Sequence, residues 1–224
     1  MAAQALRPPP MVTPMEDYYR RHYRAYYDAT AGIDPEPFLG LFVRRLVPGD
    51  RVLDVGCGSG RDLRWLRRKG MTAAGFERSP GLAALARRLS GCEVIEGDFA
   101  GFDFSVLSVD AIVLCGALVH TPHASLANVL ACILAALDPA SGRRLVYLSL
   151  KEGRGTAVDQ RGRRFYFWDD ASLRGALADC GLRVLDFRRG PSPIGRGDVW
   201  LGYELDCPAP GRQVGISGDR YRCR

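Results

Sequence analysis

The stretch RVLDVGCGSGRD, residues 51–62, limits what this chain can fold into more than any other. A short apolar, β-branched run leads into three glycines within five positions, Gly56, Gly58 and Gly60, and then into a segment with helical spacing. Glycines at such a junction let the backbone take positive φ and pass close to a ligand, and the natural setting is the first strand-to-helix turn of a parallel α/β sheet. Such a turn can be a phosphate cradle, a loop for another cofactor, or a bare connection. The dinucleotide fingerprint G-x-G-x-x-G needs a small residue at 61, where Arg stands, and a Walker loop needs a Gly-Lys-Ser/Thr ending that does not follow. Asp54, just ahead of the glycines, would repel phosphate at this turn. The loop is therefore expected to face a cofactor with a cationic end.

The neighbouring segments predict the same setting. Residues 61–69 have helical spacing closed by Gly70, MTAAGFE (71–77) is a second strand, and Ser79-Pro80 supplies an N-cap and first-position proline for a helix through 89. CEVIEGD, DAIVLCG and RRLVYLSL are further strands, with a helix over 124–137 before the last. A helix over 170–180 and the strands LRVLDFRR and DVWLGYEL complete the pattern. Strands alternating with helices predict an α/β, doubly wound, mostly parallel sheet. Upstream, Tyr19, Tyr23 and Tyr26 share one helix face at i, i+4 and i+7, and FLGLFVRRL (38–46) predicts a second helix ended by Pro48-Gly49-Asp50. The expected organisation is a disordered N-terminus (1–14), a helical unit (15–48), one α/β domain (49–206) and a flexible basic tail (207–224).

Composition narrows the function classes. Apolar residues make up 47% and charged residues 25%, as in an ordinary globular protein. No run approaches the roughly 18 apolar residues of a membrane span, and no secretory apolar core opens the chain, so no membrane partner and a cytoplasmic location are expected. The seven cysteines include no C-x-x-C pair and are expected to be reduced thiols, mostly buried, with no metal site. The net charge of +6 is diffuse, and only two of 31 basic residues are lysines; with no single aromatic-interleaved basic stripe, a nucleic-acid partner is not expected.

Two more acids fall at strand ends. Glu77 closes the second strand about 20 residues past the glycines, where a carboxylate can accept both hydroxyls of a ribose. Asp98 follows the third strand beside Phe99, an acceptor for an exocyclic amine next to a hydrophobic surface for an adenine. Adenosine plus a positive charge, without phosphate, is the ligand this set describes. VLDVGCGSG, GFERS, EGDF and VDAIVLCGALVH, in this order, resemble the successive motifs of the class I S-adenosylmethionine-dependent methyltransferases, over roughly residues 15–205. The resemblance implies a Rossmann-like seven-stranded sheet of order 3-2-1-4-5-7-6 with only strand seven antiparallel. It implies that Asp54 and the loop Gly56, Cys57, Gly58 and Gly60 hold the methionine end. Glu77 would hold the ribose and Asp98 with Phe99 the adenine, with Arg78 also at the cofactor. Cys115 and Gly116 would line the cofactor near the transferred methyl, and S-adenosylhomocysteine would be the product.

The N-terminal helices would form a lid, with Tyr19 near the cofactor and Tyr23 and Tyr26 toward substrate; core packing is the competing use of that tyrosine stripe. His120 and His123 in LVHTPH follow strand four; His120 is the candidate general base, against a purely structural loop histidine. Lys151 and Tyr166, within KEG and FYFW, are placed to shape an acceptor pocket with His123, against burial under the sheet edge. CGAL stands where base-modifying relatives carry an Asn/Asp-Pro-Pro-aromatic signature, which favours transfer to O or N of a small-molecule acceptor, by a monomer or homodimer. An RNA or protein methyltransferase, a non-catalytic cofactor-binding module and, most weakly, an NAD-dependent oxidoreductase are the alternatives.

Overall fold

The structure, a computed structural model, describes residues 14–192 and 197–208. The expectations for residues 1–13 and 209–224 lie outside the described residues. Strand β1 (Arg51–Val55) is buried along most of its length and leads through the glycine turn into α3 (Arg61–Arg68). β2 (Thr72–Glu77) and α4 (Pro80–Ser90) follow, and the Ser79 side chain accepts from Leu82 N as the expected N-cap. β3 (Glu93–Glu96), β4 (Ala111–Cys115), α5 (Leu126–Leu134) and β5 (Leu145–Lys151) continue the alternation. After a hairpin of β6 (Thr156–Val158) and β7 (Arg164–Tyr166) come α6 (Asp170–Asp179), β8 (Arg183–Pro191) and β9 (Val199–Asp206).

The main sheet has seven strands in the order β3-β2-β1-β4-β5-β9-β8. β1 to β5 pair in parallel, and β9 is antiparallel to both of its neighbours. With the hairpin as a separate sheet, this is the expected order 3-2-1-4-5-7-6. The hairpin itself went unanticipated: Thr156, Ala157 and Val158 are all exposed, so no period-2 burial pattern marks them.

Both faces of the sheet are covered. Leu126, Leu130 and Ile133 of α5 and Leu173 and Leu177 of α6 pack with Ile112, Leu114, Val146 and Leu148. On the other face, α2 (Glu36–Val43) and α3 supply Leu39, Phe42 and Leu66 against Val52, Val113 and Tyr147. α2 starts two residues earlier than expected, directly after the Asp34-Pro35 turn, where Asp34 accepts from Glu36 N at 3.0 Å. α1 (Pro14–Thr30) has a kink at His22 and packs against α4 at the carboxyl edge of the sheet. Among the cysteines, Cys57, Cys92, Cys115, Cys180 and Cys207 are free thiols as expected, whereas Cys132 is disulfide-bonded. The start of the expected tail is anchored, since Cys207 exchanges backbone and side-chain hydrogen bonds with Arg144 at 2.8 and 2.9 Å.

Candidate functional site

The glycine turn is tight because the chain approaches itself. Gly56, Gly58 and Gly60 have φ of +74°, +54° and +78°. A Cβ on Gly56 would lie 2.8 Å from Ala117 Cβ, one on Gly58 3.1 Å from the Tyr26 ring, and one on Gly60 2.7 Å from Ala86 Cα. Gly56 N and Cys57 N both donate to Phe76 O, which ties the turn to the end of β2. Cys57 itself faces inward, packed with Leu63 and Val94.

Three carboxylates sit at this edge. Asp54 is 1% exposed, and its Oδ2 has no hydrogen-bond partner among the described residues. Burial, reinforced by the neighbouring Asp62, pushes its carboxyl well above the usual range. Arg61 is engaged by Asp62 at 2.9 Å, so what Asp54 lacks is a cation of its own. Glu77 Oε2 accepts from Gly58 N at 3.0 Å and Oε1 from Ser79 N at 2.8 Å. Burial raises its carboxyl and these two N–H groups pull it back. Asp98 accepts from Arg78 at 3.0 Å and from Ala100 N at 2.9 Å, while Phe99 stacks on Phe76 with centroids 5.9 Å apart.

A cavity of about 540 Å³ opens between these groups, within the size range of small-molecule sites. It is lined by Gly56, Gly58, Glu77, Arg78, Asp98, Phe99, Cys115, Gly116, Tyr19, Tyr26 and His120, eleven residues expected at the site. A second cavity, about 790 Å³, lies on the other side of Cys115 and Gly116 and shares Tyr19, Tyr26, Cys115 and Gly116 with the first. Lys151 lines it, as expected, with its ammonium 2.7 Å from Asp198 and 4.2 Å from the Phe165 ring centroid. Arg61, Tyr147, Ser149, Arg163, Arg188 and Trp200 also line it and were not anticipated. Arg61 was readable only as a mismatch to the dinucleotide fingerprint; its guanidinium lies 3.5 Å from Cys115 Sγ and 5.0 Å from the Phe38 ring centroid.

Tyr23, His123 and Tyr166, expected in the acceptor pocket, line neither cavity. The Tyr23 ring sits on Gly81 of α4, 2.7 Å from where a Cβ would be. His123 packs edge-on against Tyr166 and Trp168 and pairs with Phe167 O at 2.8 Å. Asp54, Cys57 and Gly60, also expected at the cofactor, are not among the residues that line the first cavity. His120 bridges instead: Nδ1 is 2.5 Å from Arg164 O and Nε2 is 3.2 Å from Tyr19 Oη. Its pKa is pushed down to about 4 by burial. The Cys115 thiol is pushed up to about 12, again by burial, so it stays protonated.

The residues fit S-adenosylmethionine. The orphaned Asp54 oxygen beside the turn suits a cationic cofactor, Gly56 and Gly58 bring backbone to the first cavity, and Glu77 and Asp98, which also line it, are carboxylates with capacity to accept further hydrogen bonds.

Residues 52–140 match the model of a methyltransferase domain family. An uncharacterized methyltransferase of Oceanobacillus iheyensis is 33% identical over 72 residues, 32% of this chain and 34% of that protein, so the match spans about a third of the curated relative. Among solved structures, the 1,6-didemethyltoxoflavin-N1-methyltransferase of Burkholderia thailandensis, with 1,6-didemethyltoxoflavin and S-adenosylhomocysteine bound, is 20% identical with a TM-score of 0.68, over 90% of this chain and 93% of that one. A methyltransferase of Methanosarcina mazei, described as S-adenosylmethionine-dependent, is 17% identical with a TM-score of 0.64, over 76% and 98%. The methyltransferase-domain match thus covers β1 to the end of α5, where the motif residues gather at the carboxyl edge, and the solved structures share the fold over most of the chain.

Proposed function

We propose that this protein transfers the methyl group of S-adenosylmethionine to an oxygen or nitrogen of a small molecule held in the second cavity. One observation carries the reading: two cavities, the first lined by the methyltransferase-like motif residues, share Tyr19, Tyr26, Cys115 and Gly116 among the described residues. The cofactor supplies an electrophilic methyl on a sulfonium. Glu77 would accept from the ribose hydroxyls, Asp98 and Phe99 would hold the adenine, and Asp54 would balance the ammonium end. Gly116, at φ +67° and overlain by Trp200 at 3.0 Å from a would-be Cβ, keeps the passage between the cavities narrow. Such a passage aligns donor and acceptor, and in-line positioning is the main catalytic requirement for this displacement. The 15–48 segment would act as the lid of the 49–206 domain: Ser79 Oγ donates to Tyr19 O, and Arg161 donates to Tyr18 Oη at 2.8 Å, which fastens α1 over the site from both sides. The structural neighbour bound to 1,6-didemethyltoxoflavin is a precedent for a small acceptor on this fold.

The test supplies the protein with cofactor carrying a radiolabelled methyl group, together with a cell extract separated into small-molecule, RNA and protein fractions. Label is expected in the small-molecule fraction. Label confined to RNA or protein, or cofactor binding without transfer to any fraction, would overturn the reading.

A further inference from the structure

The floor of the second cavity is set by strand register. Cys115 pairs with Ser149, Ser149 with Gly202, and Gly202 with Arg188, so one row of residues runs across β4, β5, β9 and β8. With neighbouring strands about 4.8 Å apart, the row places Arg188 about 14 Å from Cys115, measured between Cα atoms. Next to it run Lys151, Trp200 and Gly190, also in register, and a Cβ on Gly190 would meet nothing within 4 Å. Between the two ends Ser149 and Gly202 are small, the Tyr147 hydroxyl lies 3.0 Å from where a Cβ on Gly202 would be, and Phe38, Phe165, Phe187 and Trp200 add further rings to the lining. A lining of rings beside small floor residues suits a flat, unsaturated body.

Charge marks the far end. Among the described residues five cations line the cavity, and four have carboxylate partners: Arg61 with Asp62, Lys151 with Asp198, Arg163 with Asp159 and Arg189 with Glu152. Arg188 differs, since it donates through Nη1 to the backbone oxygen of Pro37 and has no ion pair among the described residues. That bond pins the guanidinium to the cavity wall and leaves its other N–H groups available. The indole N–H of Trp200, in the same wall, is buried and also lacks an acceptor among the described residues.

We propose that the methyl acceptor is a planar aromatic carboxylate whose carboxylate is anchored by Arg188, with the ring lying along the row toward Cys115. This rests on the reading of the second cavity as the acceptor site. A planar guanidinium with free N–H groups holds a carboxylate through paired, charge-assisted hydrogen bonds, and the anchor fixes which ring atom reaches the passage.

The experiment uses the full chain saturated with S-adenosylhomocysteine. Calorimetry compares 4-hydroxybenzoate with 4-hydroxybenzamide, and 6-hydroxy-2-naphthoate with its amide. At least one carboxylate is expected to bind tenfold or more tightly than its amide, about 1.4 kcal/mol. Arg188→Gln should erase that difference with S-adenosylhomocysteine affinity retained, and Arg188→Lys should restore most of it. Equal affinity within both pairs, no binding of any probe, or a preference that survives Arg188→Gln would overturn the proposal. Methyl transfer to the same probes is measured separately. Carboxylate-selective binding lost in Arg188→Gln, without transfer to any acceptor, would remove the enzymatic reading and leave the anchor standing.

Discussion

The Tyr19 hydroxyl lies 3.2 Å from Nε2 of His120, across 101 residues of sequence, and joins the N-terminal helix to the loop after β4. A carbonyl can only accept, so His120 Nδ1 carries the proton donated to Arg164 O, and Nε2 is left to accept from Tyr19. With burial holding its pKa at about 4, the ring is neutral near pH 7 and only a weak base. His120 is thus better suited to hold Tyr19 in place than to remove a proton from the acceptor.

The kcat–pH profile is accordingly expected to show no ionisation attributable to His120 between pH 5 and 8. His120→Asn and Tyr19→Phe should each lower kcat by less than about tenfold, against the 10²–10⁴ that a general base contributes. A limb near pH 6–7 that disappears in His120→Asn would restore the base role.

Glu77 has one task in the fold and a second, proposed one at the cofactor. Glu77→Ala leaves Gly58 N and Ser79 N without their acceptor and removes the carboxylate from the first cavity. Affinity for S-adenosylhomocysteine should fall roughly 100-fold, as expected for losing hydrogen bonds to a charged group, and thermal stability should fall with it. Glu77→Gln, which keeps an oxygen, should fall between. Calorimetry giving wild-type affinity for Glu77→Ala would remove the ribose assignment.

The gathering of the motif residues at one edge of the sheet was legible in the sequence because chain order alone fixes it. In a parallel sheet the residue after each strand lands on one edge, so Asp54, Glu77, Asp98 and Cys115 could be brought together from the positions of four apolar runs. The lining of the second cavity was not legible. Cys115, Ser149, Gly202 and Arg188 become neighbours only through pairing register, including two antiparallel pairings whose offset no local pattern encodes. The tyrosine stripe shows the same limit. Helical spacing put Tyr19, Tyr23 and Tyr26 on one face, but the bend at His22 and the absence of a side chain at Gly81 let Tyr23 pack on α4 instead.

Two glycines of the turn should respond differently to the same substitution. Gly60→Ala would drive a Cβ into the Ala86 backbone at 2.7 Å, forcing α3 away from α4. It should cost roughly 2–3 kcal/mol of stability through overpacking and strain at positive φ. Gly58→Ala meets only the Tyr26 ring, at 3.1 Å, and should cost about 1–2 kcal/mol while disturbing the passage between the cavities. Denaturant midpoints should therefore fall further for Gly60→Ala, and cofactor affinity further for Gly58→Ala. The reverse ranking on either measurement would contradict the assigned roles.

Far from the site, at the amino edge of the sheet, Asp110 accepts from Arg51 Nε at 3.0 Å and from Nη2 at 2.9 Å, and Arg51 also reaches Asp138 at 3.0 Å. Arg51 holds the Asp110 carboxyl well below the usual carboxylate range. The folded protein then binds fewer protons than the unfolded chain, so this stabilisation is complete above about pH 4 and is lost as pH falls further. Asp110→Asn should lower stability by about 1–3 kcal/mol at pH 7 and by much less near pH 2. Urea midpoints of the two proteins should converge on acidification, whereas a constant gap from pH 7 to pH 2 would show that the cost comes from packing and not from the Arg51 pair.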